Sequence, residues 1–520
     1  MSASPLLEIR NLHVSYRQGN ARIPALRDIS LTLNRGDAYG IIGESGSGKS
    51  TLVYAIMRHL GSGGRIDSGA VLFEGADLLR KSPQEMRALR GNRIAMVYQQ
   101  PQAALNPSIP LGEQIAEVYT IHRGLSQQEA DHLAIEMLGR VRINDPAAVA
   151  RLYPHQASGG MQQRAVIAMA LAMRPDLILL DEPTTALDVT TQAAVLELLE
   201  ELRREFHTTL IFIAHDLAVI TRICERIAVF YAGEMLEEAD MRDLFRRPAH
   251  PYTAGLMECL PARGIARTRQ PLSPIPGRLP SLAKLPPGCV FEPRCRYARP
   301  SCATAHPDFV QTAPTHRARC PYWQEVRVIT AAPAITNGHA PAPVDEVPVS
   351  TTPLLDVEHL SKAFRRGGPA ASLLGDGSHA TAQVLSSISM QLNDGDTVGL
   401  VGESGSGKTT LARCILGLTA ADGGRLRFGA RDLPLRIENR DAGMLRELQM
   451  VFQNPDMSLN PRQTIRTILM RPIRMLSHLG RREAEAAARD LLRTVNLDER
   501  FMERYPTQLS GGEKQRVAIA

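Results

Sequence analysis

Short unbroken apolar runs punctuate the chain, and charged or glycine-rich stretches follow them. Ala38-Tyr39-Gly40-Ile41-Ile42, Ile94-Ala95-Met96-Val97-Tyr98, Leu177-Ile178-Leu179-Leu180 and Leu210-Ile211-Phe212-Ile213-Ala214 are runs of this kind. They are too short for helices and lack the alternation of a half-solvated strand, so they predict buried strands. Between them, Thr51 to Met57 is compatible with a helix. Residues 113 to 140 carry a mixed polar and apolar period that predicts a helical subdomain, and a further helix is expected from Ser158 through Ala172. Alternating strands and helices predict an α/β fold.

The pattern then repeats. Leu7-Glu8-Ile9-Arg10-Asn11-Leu12 returns as Leu355-Asp356-Val357-Glu358-His359-Leu360, and Met96-Val97-Tyr98-Gln99-Gln100-Pro101 as Met450-Val451-Phe452-Gln453-Asn454-Pro455. Tyr153 to Gly160 returns as Tyr505 to Gly512. The repeat includes Gly43-Glu44-Ser45-Gly46-Ser47-Gly48-Lys49-Ser50, which returns as Gly402-Glu403-Ser404-Gly405-Ser406-Gly407-Lys408-Thr409. Four blocks in one order imply two copies of one nucleotide-binding domain.

The glycine-rich block is a phosphate-binding loop, G-x-x-x-x-G-K-[ST], between an apolar run and a helix-compatible run. Its glycines let successive backbone N–H groups turn inward on a phosphate, and the following helix N-terminus adds partial positive charge. Lys49 and Lys408 are placed for the terminal phosphates. Ser50 and Thr409 are placed for Mg2+, with Thr51 and Thr410 next in the helix. Tyr16 and Phe364, after the first strand of each copy, are candidates to stack on adenine or to fill the core. Gln99 and Gln453 can touch the metal shell and swing away. Ser158-Gly159-Gly160 and Ser510-Gly511-Gly512 open helices as anion-binding tips. Asp181, at a strand end, is a candidate Mg2+ ligand through water. Glu182 is a candidate to polarise the attacking water, and His215 to touch the γ-phosphate. Thr185-Ala186-Leu187-Asp188 reads as a turn.

Composition narrows the setting. The chain has 520 residues and a formal net charge of +6, which fits an anionic surface without selecting one. No apolar run approaches the roughly 18 residues of a membrane span. Met1 to Pro5 lacks a signal-peptide layout, so a cytoplasmic setting is expected. The seven cysteines are then expected to be thiols or metal ligands. Cys224 and Cys414 read as buried small apolar residues. Cys289, Cys295, Cys302 and Cys320 cluster in a Pro- and Arg-rich region with five, six and seventeen residues between them. That is not zinc-finger spacing, although zinc or free thiols stay open. Four thiolates in irregular loops suit a 4Fe–4S iron–sulfur cluster.

Phosphate loop, glutamine, Ser-Gly-Gly, Asp-Glu strand and terminal histidine, in this order, resemble the ATP-binding subunits of ABC transporters. His250-Pro251-Tyr252-Thr253-Ala254-Gly255-Leu256, Pro274-Ile275-Pro276-Gly277 and Cys289 to Cys295 resemble the C-terminal extension of oligopeptide/dipeptide importer ATPases, and Met161 fits that subfamily. The chain resembles a fused tandem form. The resemblance implies a first ABC ATPase domain (1–260), an extension (261–324), a flexible linker (325–353) and a second ATPase domain (354–520), each ATPase domain with a helical subdomain. It also implies ATP and Mg2+ as cofactors and supports the iron–sulfur cluster. The implied partners are two transmembrane permease subunits and an extracytoplasmic solute-binding protein, not nucleic acid, at the cytoplasmic face of the membrane.

By the same resemblance two ATP molecules are sandwiched. Lys49, Ser50, Gln99, Asp181, Glu182 and His215 would work with Ser510, Gly511 and Gly512, while Lys408, Thr409 and Gln453 would work with Ser158, Gly159 and Gly160. The implied function is ATP-driven uptake of di-/oligopeptides or a similar small solute. A tandem ABC protein acting on ribosomes or nucleic acid, and an exporter ATPase, are the alternatives. The first usually has a charged helical joiner, unlike this Pro/Ala-rich one, and against the second only the extension argues.

Three departures stand out. Ala157 replaces a common leucine, and Glu513 a common glutamine. Copy two, up to Ala520, has no counterpart of the Asp-Glu strand or the terminal histidine. That loss is expected to reflect a truncated record and to expose apolar surface. A Gly/Ser-rich insertion at 367 to 378 reads as a mobile loop.

Overall fold

The computed structural model describes residues 5–185, 187–260, 274–328, 353–365, 381–403, 405–477 and 479–520. Ser404, Ala186, most of the expected linker and the insertion at 367 to 378 lie outside the described residues. The chain divides into two compact units, 1–340 and 341–520.

In unit 1 the strands are β1 (Leu7–Gln18), β2 (Ala21–Leu33), β3 (Ala38–Ile42), β4 (Gly64–Phe73), β5 (Ala76–Asp77), β6 (Ile94–Val97), β7 (Leu177–Asp181), β8 (Thr209–Ile213), β9 (Arg226–Tyr231), β10 (Glu234–Asp240), β11 (Val310–Ala313) and β12 (His316–Ala318). They form two sheets. One is antiparallel, in the order β2-β1-β4-β5, and the other has the order β11-β12-β10-β9-β3-β8-β7-β6. The four apolar runs seen in the sequence supply β3, β6, β7 and β8, which pair in parallel with each other and with β9. Every residue of β3, β7 and β8 is buried. Both faces of a parallel sheet are covered, and unbroken apolar runs are what such strands require.

Helix α1 (Lys49–Ile56) follows β3 directly. The helical reading of 113 to 140 is met by α2 (Leu111–Arg123) and α3 (Gln127–Arg140). Gly124, at φ 65°, ends α2, and a capping box between Ser126 and Glu129 starts α3. Helix α4 (Gly159–Leu171) packs its apolar length into the larger core. Gln162, buried within it, donates from Nε2 to the carbonyls of Pro154 (2.7 Å) and Ala157 (3.0 Å), tying the preceding turn to the helix.

The extension is built into the same sheet. The motif His250-Pro251-Tyr252 starts α5 (Pro251–Glu258). Pro251 occupies the first turn, where its missing N–H costs nothing. His250 caps it by accepting from Tyr252 N at 3.1 Å. Complete burial pushes the His250 pKa down to about 3, so the ring is neutral and free to accept. Fully buried Glu237 accepts from Ala249 N (2.6 Å), His250 N (3.0 Å) and His316 Nε2 (2.7 Å). This knot ties β10, the start of α5 and β12 together.

Unit 2 contains β13 (Leu355–Arg365), β14 (Thr381–Leu392), β15 (Gly423–Phe428) and β16 (Arg431–Asp432), in the sheet order β14-β13-β15-β16 that mirrors the antiparallel sheet of unit 1. Its helices include α6 (Lys408–Ile415), α7 (Ile465–Ser477), α8 (Arg481–Thr494) and α9 (Gly511–Ile519). The segments corresponding to β3 and β6 form no strand. Val398, Leu400, Val401 and Val451 are 48%, 47%, 97% and 51% exposed, as expected where no neighbouring strand covers them. Cys224 and Cys414 are buried at a helix C-terminus and within α6, respectively.

Candidate functional site

The loop between β3 and α1 takes its shape from glycine. Gly46 and Gly48 lie at φ 83° and 99°, in the left-handed region that side chains disfavour. A Cβ at Gly43 would run into the carbonyl oxygen of Phe230 in β9. Lys49 folds back and donates from Nζ to the carbonyls of Gly43 (2.8 Å) and Glu44 (2.9 Å). Desolvation lowers its pKa, opposed by the carboxylates of Glu182, Asp181 and Glu44. Ser45 and Gly46 are exposed, Ser47 is buried, and Ser50 and Thr51 are half-buried.

A cleft of about 460 Å³ opens over this loop. Lys49, Ser50 and Thr51 line it together with Tyr16, Gln99, Glu182 and His215. Four motifs far apart in sequence thus meet at one place, each following the end of a strand. Tyr16 is both a wall of the cleft and a neighbour of the smaller core.

Glu182 is the hub. Its Oε2 accepts from Gln99 Nε2 (3.0 Å) and Thr185 Oγ1 (3.0 Å), and lies 3.2 Å from His215 Nδ1. The bond to His215 holds the Glu182 pKa below the usual carboxylate range, and the same bond raises that of His215. Glu182 also sits at φ 47°, a conformation that costs a non-glycine residue about 1 kcal/mol or more and here aims the carboxylate out of the strand line. Asp181, nearly buried, accepts from Ser50 Oγ at 2.9 Å. Burial raises its pKa, and Glu182 adds to the rise. Ser50 and Asp181 thus converge as hard oxygen donors, a set suited to Mg2+.

Ser158 caps α4, accepting from Met161 N at 3.3 Å; Gly159 follows in the open, while a Cβ at Gly160 would come within 3.1 Å of the Thr191 methyl. These three are not among the residues lining the cleft of unit 1.

In unit 2, Lys408 makes the same grip, donating to the carbonyls of Gly402 and Glu403 at 2.7 Å each. Ser406 Oγ is 3.2 Å from its Nζ. Gly405 and Gly407 repeat the left-handed turns at φ 85° and 92°. Thr409 and Gln453 are exposed and Thr410 is half-buried. Phe364 is 44% exposed, with Lys362 Nζ 5.4 Å from its ring centre. Ser510 caps α9 and shares a capping box with Glu513; Gly511 and Gly512 are exposed. Glu513, read from sequence as a departure, is therefore the residue that closes this helix start.

Among the described residues no three of His, Cys, Asp or Glu come together tightly enough to hold a metal ion. The iron–sulfur expectation at Cys289, Cys295, Cys302 and Cys320 gains no support from ligand geometry. All four nevertheless line one cavity of about 170 Å³ in the extension. Burial pushes the Cys289 and Cys320 thiols up to about 11 and 12.

Two residues to which the sequence motifs assign no role at the loop also matter here. Leu282, from the extension, lines the cleft over the phosphate loop. Arg294 pairs with Glu44 of the phosphate loop at 2.9 Å. Neither carries a local sequence signal, because only the fold brings them to the loop.

A glycine phosphate cradle, an Mg2+-type oxygen pair and a carboxylate–histidine hub define a P-loop nucleotide-hydrolysing cassette. Family models bear this out: "ABC transporter" matches residues 26–185 and 385–520, and "Oligopeptide/dipeptide transporter, C-terminal region" matches 236–302. The chain belongs to the ABC transporter ATP-binding family and is a transport-coupled ATPase with two cassette segments. It is 37% identical to oligopeptide transport ATP-binding protein OppD of Mycobacterium tuberculosis, over 99% of this chain and 83% of that one. It is 36% identical to glutathione import ATP-binding protein GsiA of Pectobacterium atrosepticum, over 99% of this chain and 74% of that one. A solved dimeric structure of the ATP-binding cassette MJ0796, bound to ADP and Pi, matches at 32% identity over 45% of this chain and 99% of that one, with a TM-score of 0.42. Among the described residues no helix is long and apolar enough to cross a membrane.

Proposed function

We propose that this chain hydrolyses ATP to drive uptake of di-/oligopeptides, or a similar small solute, through a membrane importer at the cytoplasmic face. The observation that carries the hydrolytic part is the Glu182 hub: an ionised carboxylate beside the phosphate loop, steered by Gln99, Thr185 and His215. Glu182 would take the proton of the attacking water, and His215 would meet the γ-phosphate. Lys49 and the loop amides would neutralise the phosphates, and Ser50 and Asp181, with Gln99, would hold Mg2+, which would supply further positive charge to the phosphates. Tyr16 would lie against the base. Ser158, Gly159 and Gly160 do not line this cleft.

The import part rests on the extension. Its His-Pro-Tyr motif and its similarity to an oligopeptide and a glutathione transport ATP-binding protein favour peptide or peptide-like cargo over a ribosomal or export role. Permease subunits and an extracytoplasmic solute-binding protein are the partners this reading requires. We further propose a 4Fe–4S cluster at Cys289, Cys295, Cys302 and Cys320. A single ion needs its ligands around one point. A cluster takes four thiolates spread over a larger volume, which suits four cysteines around one cavity. Its role there would be to brace the extension.

Glu182→Gln should lower ATP turnover roughly 10²–10⁴-fold while nucleotide binding stays near wild type. Unchanged turnover would remove Glu182 from the role of base. Co-purification with permease subunits supports import, whereas co-purification with ribosomes supports the alternative. Iron and sulfide absent from anaerobically purified protein would rule out the cluster.

A further inference from the structure

The phosphate loop of unit 1 is held from outside the cassette motifs. Glu44 N donates to the hydroxyl of Tyr252 at 2.9 Å, and Tyr252 is fully buried. The Glu44 carboxylate accepts from Arg294 Nη1 at 2.9 Å. Arg294 is itself anchored on three other sides. It donates from Nε to the carbonyl of Pro276 (2.8 Å), from Nη2 to that of Ile275 (3.3 Å) and from Nη1 to Tyr231 Oη (3.3 Å). Its side chain is only 6% exposed, whereas that of Glu44 is 29% exposed. The arginine is therefore the fixed member of the pair and the loop the member being fixed.

The segment that fixes Arg294 also fits it closely. A Cβ at Gly277 would come within 3.1 Å of Arg294 Cγ, and Gly277 lies at φ 77°. Two residues on, Leu279 comes within 3.7 Å of where a Cβ at Gly46 would stand. No catalytic or phosphate-binding role needs these contacts; what they do is set the position of the loop.

We propose that Arg294 is a positioning residue for nucleotide binding: through Glu44 it holds the phosphate loop in its phosphate-accepting shape, making the extension part of the nucleotide site. This rests on the phosphate-loop reading of residues 43 to 50. Permanently charged and planar, arginine reaches Glu44, Tyr231 and two backbone carbonyls from three separate nitrogens, a spread that lysine's single nitrogen does not match.

The test uses the full chain carrying Lys408→Ala, so that only the first loop is read, and measures ADP affinity by isothermal titration calorimetry. Arg294→Gln should weaken ADP binding about 10-fold, the scale of one charge-assisted hydrogen bond. Arg294→Lys should recover part of the loss. Glu44→Ala should cost a similar factor, and the double variant should be no weaker than the worse single one, since both remove one interaction. Wild-type affinity in Arg294→Gln, or losses that multiply in the double variant, would overturn the proposal. Should Arg294→Gln fail to fold, Glu44→Ala decides alone: its unchanged affinity would refute positioning through this pair. If the Lys408→Ala chain with Arg294 and Glu44 intact binds no ADP, the phosphate-loop reading itself has failed.

Discussion

The two phosphate loops are nearly the same string of letters in two different surroundings. Lys49 and Lys408 grip the same pair of backbone carbonyls, and the glycine turns agree within a few degrees, φ 83° and 99° against 85° and 92°. The strand before each loop does not agree. Ala38–Ile42 is buried throughout between β8 and β9, while the counterpart at 398 to 401 forms no strand and leaves Val401 97% exposed. Loop shape is thus encoded within eight residues, by glycine conformations and one lysine. A parallel strand is not, because its hydrogen bonds and its cover belong to neighbours supplied elsewhere in the chain.

That contrast can be broken or sharpened in three ways. The largest effect should appear in amide hydrogen exchange. Residues 39 to 42 should open only with unit 1, at about 5 kcal/mol or more, and residues 398 to 401 at close to zero. Equal protection would mean that the second segment finds a partner strand.

Next come the paired glycines. Gly43→Ala drives a methyl into the Phe230 carbonyl and should destabilise unit 1 on the order of 3 kcal/mol in chemical denaturation. At Gly402 the nearest atom is the movable Ser406 Oγ at 2.8 Å, so Gly402→Ala should cost about 1 kcal/mol, mostly backbone strain. Similar costs would show that β9 does not wall the first loop.

The smallest effect concerns His215. Its pKa is raised by Glu182, so its contribution to stability is complete below its unfolded pKa and is lost as pH rises through the folded one. Glu182 is depressed, so its contribution is present above its unfolded pKa and is lost as pH falls through the folded one. The pair is therefore strongest between the folded pKa of Glu182 and that of His215. An NMR titration should find His215 above the ordinary histidine value, and Glu182→Gln should bring it back down.

Much of the candidate site's local structure was legible in the sequence. Buried strands show as apolar runs, the cradle as glycine spacing, and the helix tips as Ser-Gly-Gly. The meeting of Gln99, Glu182 and His215 came only from the family resemblance; its physical reason is that each follows a strand and parallel strands deliver their ends to one edge. What stayed hidden depends on long-range packing. Arg294 lies in a stretch without periodicity, and nothing near it in sequence points to Glu44. Leu282 is an ordinary leucine until the extension folds over the cleft. Glu513 was legible in principle, because Ser-x-x-Glu is a helix-start signature. Comparing it with a common glutamine hid that role.

The helix tip at Ser510 carries a further consequence. Its backbone N–H and its hydroxyl both donate to Glu513, at 2.7 and 2.8 Å, whereas the matching position beside Ser158 is Met161, which carries no charge. An incoming anion at the later tip meets a resident carboxylate already holding the donors it would use, and at the earlier tip it meets none. The two helix tips therefore differ in the charge, and in the prior engagement of their donors, that an approaching anion would meet.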